Sequence, residues 1–299
     1  MGVVKMFPGL DKLLMQLRME SKAEENRKKP PISSSDVVET ADFVFAPFNP
    51  LNRIGDSGPL LLAKRKADRK DRYVVKHAST DCACNEYIYA KLAQAMGYHV
   101  PKTLLFLLSK GEKRKYFKTE YIIGNQYLEC AIASPAYSEI REKAENWYEY
   151  FSFRGMYAMF SESDSFETLL AQNGLIYRID TTSAFLISDW QLDDAGINFS
   201  FEGKNPYDIR KKQLLSSDFS TALNTCWCDI QLENCLKKDA VGRSYFLAPF
   251  ARIQEISDDY IDDFLNTLCY FYPDFIGDYF KRYISALQKQ CAEYWKEKR

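Results

Sequence analysis

Tyr73-Val74-Val75-Lys76, followed after a short polar link by Asn85-Glu86-Tyr87-Ile88, is the stretch that decides the fold of this chain. The aromatic and β-branched residues from Arg72 to Lys76 predict a strand that ends on a lysine. The spacing beyond it predicts a helix from about Cys84 to Met96. Its buried stripe holds Ile88, Leu92 and Ala95, with Tyr87 and Ala90 close by, and Gly97 stops it. Glu86 falls near the start of that helix, ten positions after Lys76. A lysine is a compact charge suited to phosphate oxygens, and a carboxylate beside it would hold its flexible stem in place. Two unrelated charges facing solvent are the common alternative.

Strands extend in both directions from this unit. Upstream, Phe43-Val44-Phe45 and Pro59 to Ala63 read as strands of a meander. Between them lies Asn52-Arg53-Ile54-Gly55-Asp56-Ser57-Gly58, where Gly55 and Gly58 would let backbone N–H groups approach a phosphate closely; an ordinary hairpin turn has the same composition. Downstream, Thr103 to Leu108 is a strand, Lys110 to Lys115 a charged hairpin turn, and Tyr116 to Ile123 the returning strand, which Gly124-Asn125 breaks. Backbone groups of Glu120, Tyr121 and Ile122 would pair with an adenine edge, or simply join the two halves. Helical patterns then dominate, over Ser138 to Ser161, Asp258 to Tyr272 and Asp274 to Lys298. The predicted architecture is α+β: a helix and linker over 1–41, a strand-rich part over 42–124 and a helical part over 125–299.

Composition narrows the function classes. The 299 residues are 46% apolar and 27% charged, enough for a sizeable core, and the net charge of -1 gives no broad basic face for nucleic acid. No apolar run approaches the ~20 residues that cross a bilayer, so a cytoplasmic protein is expected, unless another route exports it. Met1-Gly2 begins like a myristoylation signal, but Met6 stands where that signal needs Ser or Thr. The eight cysteines are scattered and read as reduced thiols. Cys82/Cys84 and Cys226/Cys228 have the wrong spacing for a zinc knuckle, and His77 and His99 are the only histidines. Leu10, Leu13, Leu14 and Leu17 mark an appended helix over Leu10 to Glu25, which either covers a neighbouring surface or binds a partner.

A second polar stretch carries the remaining chemistry, within 160–189. Phe160 to Leu170 reads as a helix end and a loop bearing Asp164, Asn173-Gly174 as a hairpin turn, and Leu175 to Asp180 as a strand ending on a carboxylate. Phosphoryl transfer needs two such carboxylates, one to position the attacking hydroxyl and one to hold Mg2+ on the phosphates. Aspartates that cap local turns would look the same.

Taken in order, these residues resemble the HipA-like kinases, most closely the short bacterial cell-translocating kinase A group. The resemblance runs from Asp42 to Asp189. It is clearest over Val74-Val75-Lys76, Asn85-Glu86-Tyr87-Ile88, Leu92, Gly97, Val100 and Thr103-Leu104-Leu105, and continues in Ile179-Asp180 with Ser183 and Phe185. It implies a bilobal protein-kinase-like fold, with a strand-rich N-lobe and a helical C-lobe, that uses ATP and Mg2+ and transfers phosphate to Ser or Thr of a protein substrate. Carried over, Lys76 would contact the ATP phosphates, with Gly55, Ser57 and Gly58 in the phosphate loop. Glu86 would pair with Lys76, Asp164 would be the catalytic base and Asp180 would bind Mg2+. The family places His two positions and Asn five positions after its catalytic aspartate, where this chain has Phe166 and Leu169. A deletion would align Glu167 with the missing Asn, and its oxygens suit Mg2+. Ser57 is a candidate for autophosphorylation, whose charge would repel ATP. Three functions follow: a Ser/Thr protein kinase; a pseudokinase that binds nucleotide or serves as a scaffold; and an interaction protein that kept only the fold.

Overall fold

The computed structural model describes residues 35–48, 60–76, 80–108, 121–160, 162, 166–186 and 239–268, with 277, 280, 281, 283–285, 287–289, 291 and 292 near the C-terminal end. The helix expected over Leu10 to Glu25, the turn over 110–115, Gly55, Ser57, Gly58, Glu120, Asp164, His77, Cys226 and Cys228 lie outside these residues.

A six-stranded sheet is built from β1 (Val37–Glu39), β2 (Phe43–Phe48), β3 (Leu60–Arg65), β4 (Arg72–Lys76), β5 (Thr103–Leu107) and β6 (Tyr121–Gln126), in the order β1-β5-β6-β4-β3-β2. Helix α1 (Thr80–Ala95) links β4 to β5. All pairings are antiparallel except that of β1 with β5. β1 arises from the stretch that reads as linker. Asp36 fixes it: its carboxylate accepts a hydrogen bond from Tyr87 Oη at 2.9 Å and forms an ion pair with Lys91, both on α1.

Side-chain alternation divides the sheet into two faces. Tyr73 and Val75 of β4, Leu104 and Phe106 of β5 and Ile122 of β6 form one core with Phe43, Leu61, Ala63 and Leu108. Phe43, Phe45 and Tyr73 meet the Phe106 ring edge-on at 4.9, 6.0 and 6.0 Å. Leu105 and Ile123 face the other way, into a larger core with α1 and the helical part of the chain. One hydrophobic core therefore spans both halves, and α1 lies inside it.

That position explains two departures from the sequence reading. The helix starts a turn earlier than Cys84, and every residue from Ala83 to Ala90 is buried rather than a single stripe, while Ala95, expected inside, is exposed. Gly97 follows the last turn with a φ of 80°, in the left-handed region that glycine adopts at low cost. The second departure is β6, which continues through Gly124-Asn125 to Gln126 instead of breaking there. Gly124 is required because Phe106 covers it: a Cβ at that position would lie 2.4 Å from Phe106 Cε2.

A second sheet, β7 (Cys130–Ala133), β8 (Glu167–Ala171) and β9 (Ile176–Ile179), is antiparallel in the order β7-β8-β9. The helical run expected over Ser138 to Ser161 is two helices, α2 (Tyr137–Lys143) and α3 (Glu149–Met159). Asn146 interrupts it by acting as a strand partner. Its Nδ2 donates to Ile176 O at 3.2 Å and its Oδ1 accepts from Ile176 N at 2.8 Å, which docks the turn on β9. His99, beyond α1, joins the same region: its backbone N–H donates to Glu149 Oε2 at 3.1 Å and its carbonyl accepts from Arg178 N at 3.1 Å. Helices α4 (Ala240–Arg252) and α5 (Asp258–Thr267) complete the described elements, capped by Asp239 and Ser257.

Candidate phosphate-binding site

Lys76 is the last residue of β4, paired with Leu60 on β3 and Ile123 on β6. Because Tyr73 and Val75 point into the outer core, alternation directs Lys76 to the α1 side. Its Nζ lies 3.0 Å from Glu86 Oε2 and 2.8 Å from Asp180 Oδ1. The predicted pair is present, and Asp180 joins it from across the chain. Glu86 is buried, and its other oxygen accepts a hydrogen bond from Asn125 Nδ2 at 2.9 Å; Asn125 Oδ1 in turn accepts from Thr103 Oγ1 at 2.8 Å. A chain of donors thus runs from β5 through β6 to the helix carboxylate. Asn125, which reads as a turn residue in the sequence, is a support of the site; a polar amide inside a strand is the signal that could have found it.

The three charges are uneven in setting. Burial pushes the Glu86 carboxyl above the usual glutamate range, although Lys76 pulls it back. Burial also works against the Lys76 charge, but Glu86 and then Asp180 outweigh it and hold the amine protonated. For Asp180 the upward push of burial is overcome by Lys76, with help from Arg178, so its carboxyl lies below the ordinary aspartate range. The Asp180 side chain is 45% exposed against 4% for Glu86, so one carboxylate is fixed inside and the other faces solvent.

Asp180 has a φ of 53°, and Phe185 a φ of 65°. Left-handed geometry at residues other than glycine is held only where neighbours over-determine it. Here Asn85 Nδ2, next to Glu86, donates to Thr182 O at 3.0 Å, and Phe185 N donates to Phe160 O at 2.6 Å. The Phe185 ring packs against Phe160 and Tyr283, at 5.0 and 5.8 Å. The segment is thus pinned at Asp180, Thr182 and Phe185.

Glu167 opens β8 opposite Ile179, one position from Asp180, so the second expected metal carboxylate lies on the same hairpin. Among the described residues no three His, Cys, Asp or Glu side chains form a metal cluster. Mg2+ on a nucleotide does not need one, since one or two carboxylates serve with phosphate oxygens and water. The exposed Asp180 carboxylate fits that role. Leu169, where the sequence resemblance expects Asn, is central in β8 between Ala133 and Tyr177. Phe166, where the same resemblance expects His, lies under two guanidinium groups, with Arg154 Cζ at 3.7 Å and Arg178 Cζ at 4.7 Å from its ring centre.

The adenine edge needs one correction. Gln126 N donates to Lys102 O on the β5 side, so by strand alternation Gly124 and Ile122 present their backbone groups to β5 as well. The backbone of Ile122 is thus occupied by Phe106, and its side chain is buried in the outer core. Tyr121 alternates to the other side, past the end of β4 at Lys76. Of the cysteines, Cys84 forms no disulfide and is buried in α1, with no metal-binding cluster near it among the described residues.

No family model matches the chain, and no curated protein matches it. Among solved structures, the chain is similar to the Helicobacter pylori proinflammatory kinase CtkA, at 12% identity over 86% of this chain and 98% of that one, with a TM-score of 0.44. Likeness of that size does not decide the chemistry, which rests on the residues themselves. No helix among the described residues is long and apolar enough to cross a membrane.

Proposed function

We propose that this chain is a protein-kinase-like, HipA-like ATP-binding protein that transfers the γ-phosphate to a Ser or Thr hydroxyl of a protein. The observation that carries the reading is the amine of Lys76 shared between a buried helix carboxylate and a partly exposed carboxylate after β9. In that reading Lys76 turns to the nucleotide phosphates while Glu86, held by Asn125, keeps its stem in place. Asp180, with Glu167 as a second oxygen donor, would hold Mg2+, which supplies charge neutralisation on the phosphates. The hydroxyl oxygen bonds to the γ-phosphorus as the bond to the β-phosphate oxygen breaks, and Asp164 takes the hydroxyl proton. Of Glu120, Tyr121 and Ile122, the backbone of Tyr121 is the remaining candidate for the adenine edge, Glu120 lying outside the described residues and sharing the alternation of Ile122. A partner for the N-terminal helix and a cytoplasmic location are part of the same proposal.

A second reading, nucleotide binding without transfer, is favoured by one observation: Leu169 is a strand residue and Phe166 is clasped by arginines, so neither can replace the family's Asn or His. Two measurements on the full chain separate them. Mg-ATP is expected to raise the melting temperature of the wild type and not of Lys76→Met, since a ligand that binds the folded state stabilises it by mass action. Labelled ATP is then expected to transfer phosphate to protein with the wild type and not with Asp164→Ala or Asp180→Ala. A melting shift without transfer establishes the second reading; no shift at all removes both.

A further inference from the structure

Arg178 is the largest fully buried side chain among the described residues, yet it sits in a short strand with one apolar face. Alternation along Ile176-Tyr177-Arg178-Ile179 places it inward with Ile176. Its guanidinium is engaged in several directions. Nη2 forms an ion pair with Glu162, itself buried; Nη1 donates to Glu167 O at 2.6 Å and to Ile179 O; and its Cζ lies over the Phe166 ring, 4.7 Å from the ring centre. Glu162 and Phe166–Glu167 are the two ends of the segment that carries Asp164, and Arg178 is two residues from Asp180.

We infer that Arg178 is a positioning residue, one that holds Glu162 and Phe166–Glu167, the described residues on either side of 163–165, in fixed register with Asp180. The inference rests on the reading of Asp164 and Asp180 as the reacting pair, and it deepens that reading by naming what ties the described residues flanking Asp164 to the strand that ends at Asp180. One rigid fork reaches Glu162 with one nitrogen and two carbonyls with another, while its Cζ sits over the Phe166 ring. A lysine could keep the ion pair but not the other contacts. Phe166 then has a role distinct from the histidine of related kinases: it is the apolar plate on which Arg178 and Arg154 seat the end of the segment.

The test compares wild type, Arg178→Lys and Phe166→Leu as full chains, by amide hydrogen exchange and by steady-state transfer from ATP. Peptides covering 161–167 are expected to exchange about tenfold faster in both variants, with α1 and β4 unchanged, because a local tie has been cut. If the wild type transfers phosphate, kcat is expected to fall about tenfold or more in Arg178→Lys with KM for ATP within about twofold, since misplacement costs rate rather than nucleotide affinity. Phe166→Tyr, which keeps the ring, is expected to restore both readouts. Unchanged exchange over 161–167 overturns the inference whether or not phosphate is transferred, and so does acceleration spread equally over α1. Faster exchange confined to 161–167 in a wild type that transfers nothing supports Arg178 and removes the transfer reading.

Discussion

Two charged clusters lie within a few residues of each other, around Lys76 and around Arg178, and they are built on opposite principles. Around Lys76 one cation serves two carboxylates, and Asp180, one of them, is 45% exposed. Around Arg178 the ion pair with Glu162 is sealed, with side-chain exposures of 0% and 1%. A lysine amine shared with a partly exposed partner is able to exchange that partner for a ligand. A guanidinium whose partners are two carbonyls, a carboxylate and a ring has no such freedom. The difference separates a cluster suited to binding from one suited to holding shape.

The sharpest way to break that contrast is to remove the sealed cation. Arg178→Met leaves Glu162 as an uncompensated buried carboxylate and is expected to cost about 3–5 kcal/mol in urea unfolding, whereas Arg178→Met with Glu162→Gln should recover much of that loss. Equal losses in both would show that the charge pair is not what makes the site closed. Gly124→Ala tests the scaffold behind the open cluster. Its Cβ would collide with Phe106, so a loss of about 1–3 kcal/mol is expected, relieved by Phe106→Leu in the same chain. The smallest effect concerns Asp180. Its carboxyl lies below the usual 3.8, so its contribution is present above that value and is lost as pH falls through the lowered one. The gap in melting temperature between wild type and Asp180→Asn should be steady near neutral pH and narrow as pH drops below about 4; a constant gap down to pH 2 would show that Asp180 is not held by Lys76.

The open cluster was largely legible in the sequence and the sealed one was not. Lys76 ends a strand whose alternation is plain, and Glu86 opens a helix with a clear stop at Gly97, so both could be placed from local pattern alone. Their third partner, Asp180, could be suspected as a carboxylate at a strand end, but nothing local sets its distance to Lys76. Asn125 was misread because glycine followed by asparagine usually marks a turn, while here Gly124 answers to the Phe106 ring from a neighbouring strand. Asn146 was hidden by the helical spacing on both sides of it, and its role depends on β9, thirty residues away. Arg178 looked like an ordinary polar residue in a hairpin; only the register of β8 against β9 shows which way it points. The strand over Val37–Glu39 escaped for a similar reason, since three residues carry too little pattern to outweigh the linker around them.

That short strand changes how the molecule would carry a load. Asp36 ties the start of β1 to Tyr87 and Lys91, and Tyr87 is the residue after Glu86. Tension on the chain ahead of residue 35 would meet α1 and the sheet at one residue, because the Asp36 carboxylate holds Tyr87 and Lys91 while its carbonyl accepts from Leu105 N at 2.8 Å. Whatever pulls or pins the N-terminal end therefore has a mechanical grip on the geometry of the Lys76 cluster.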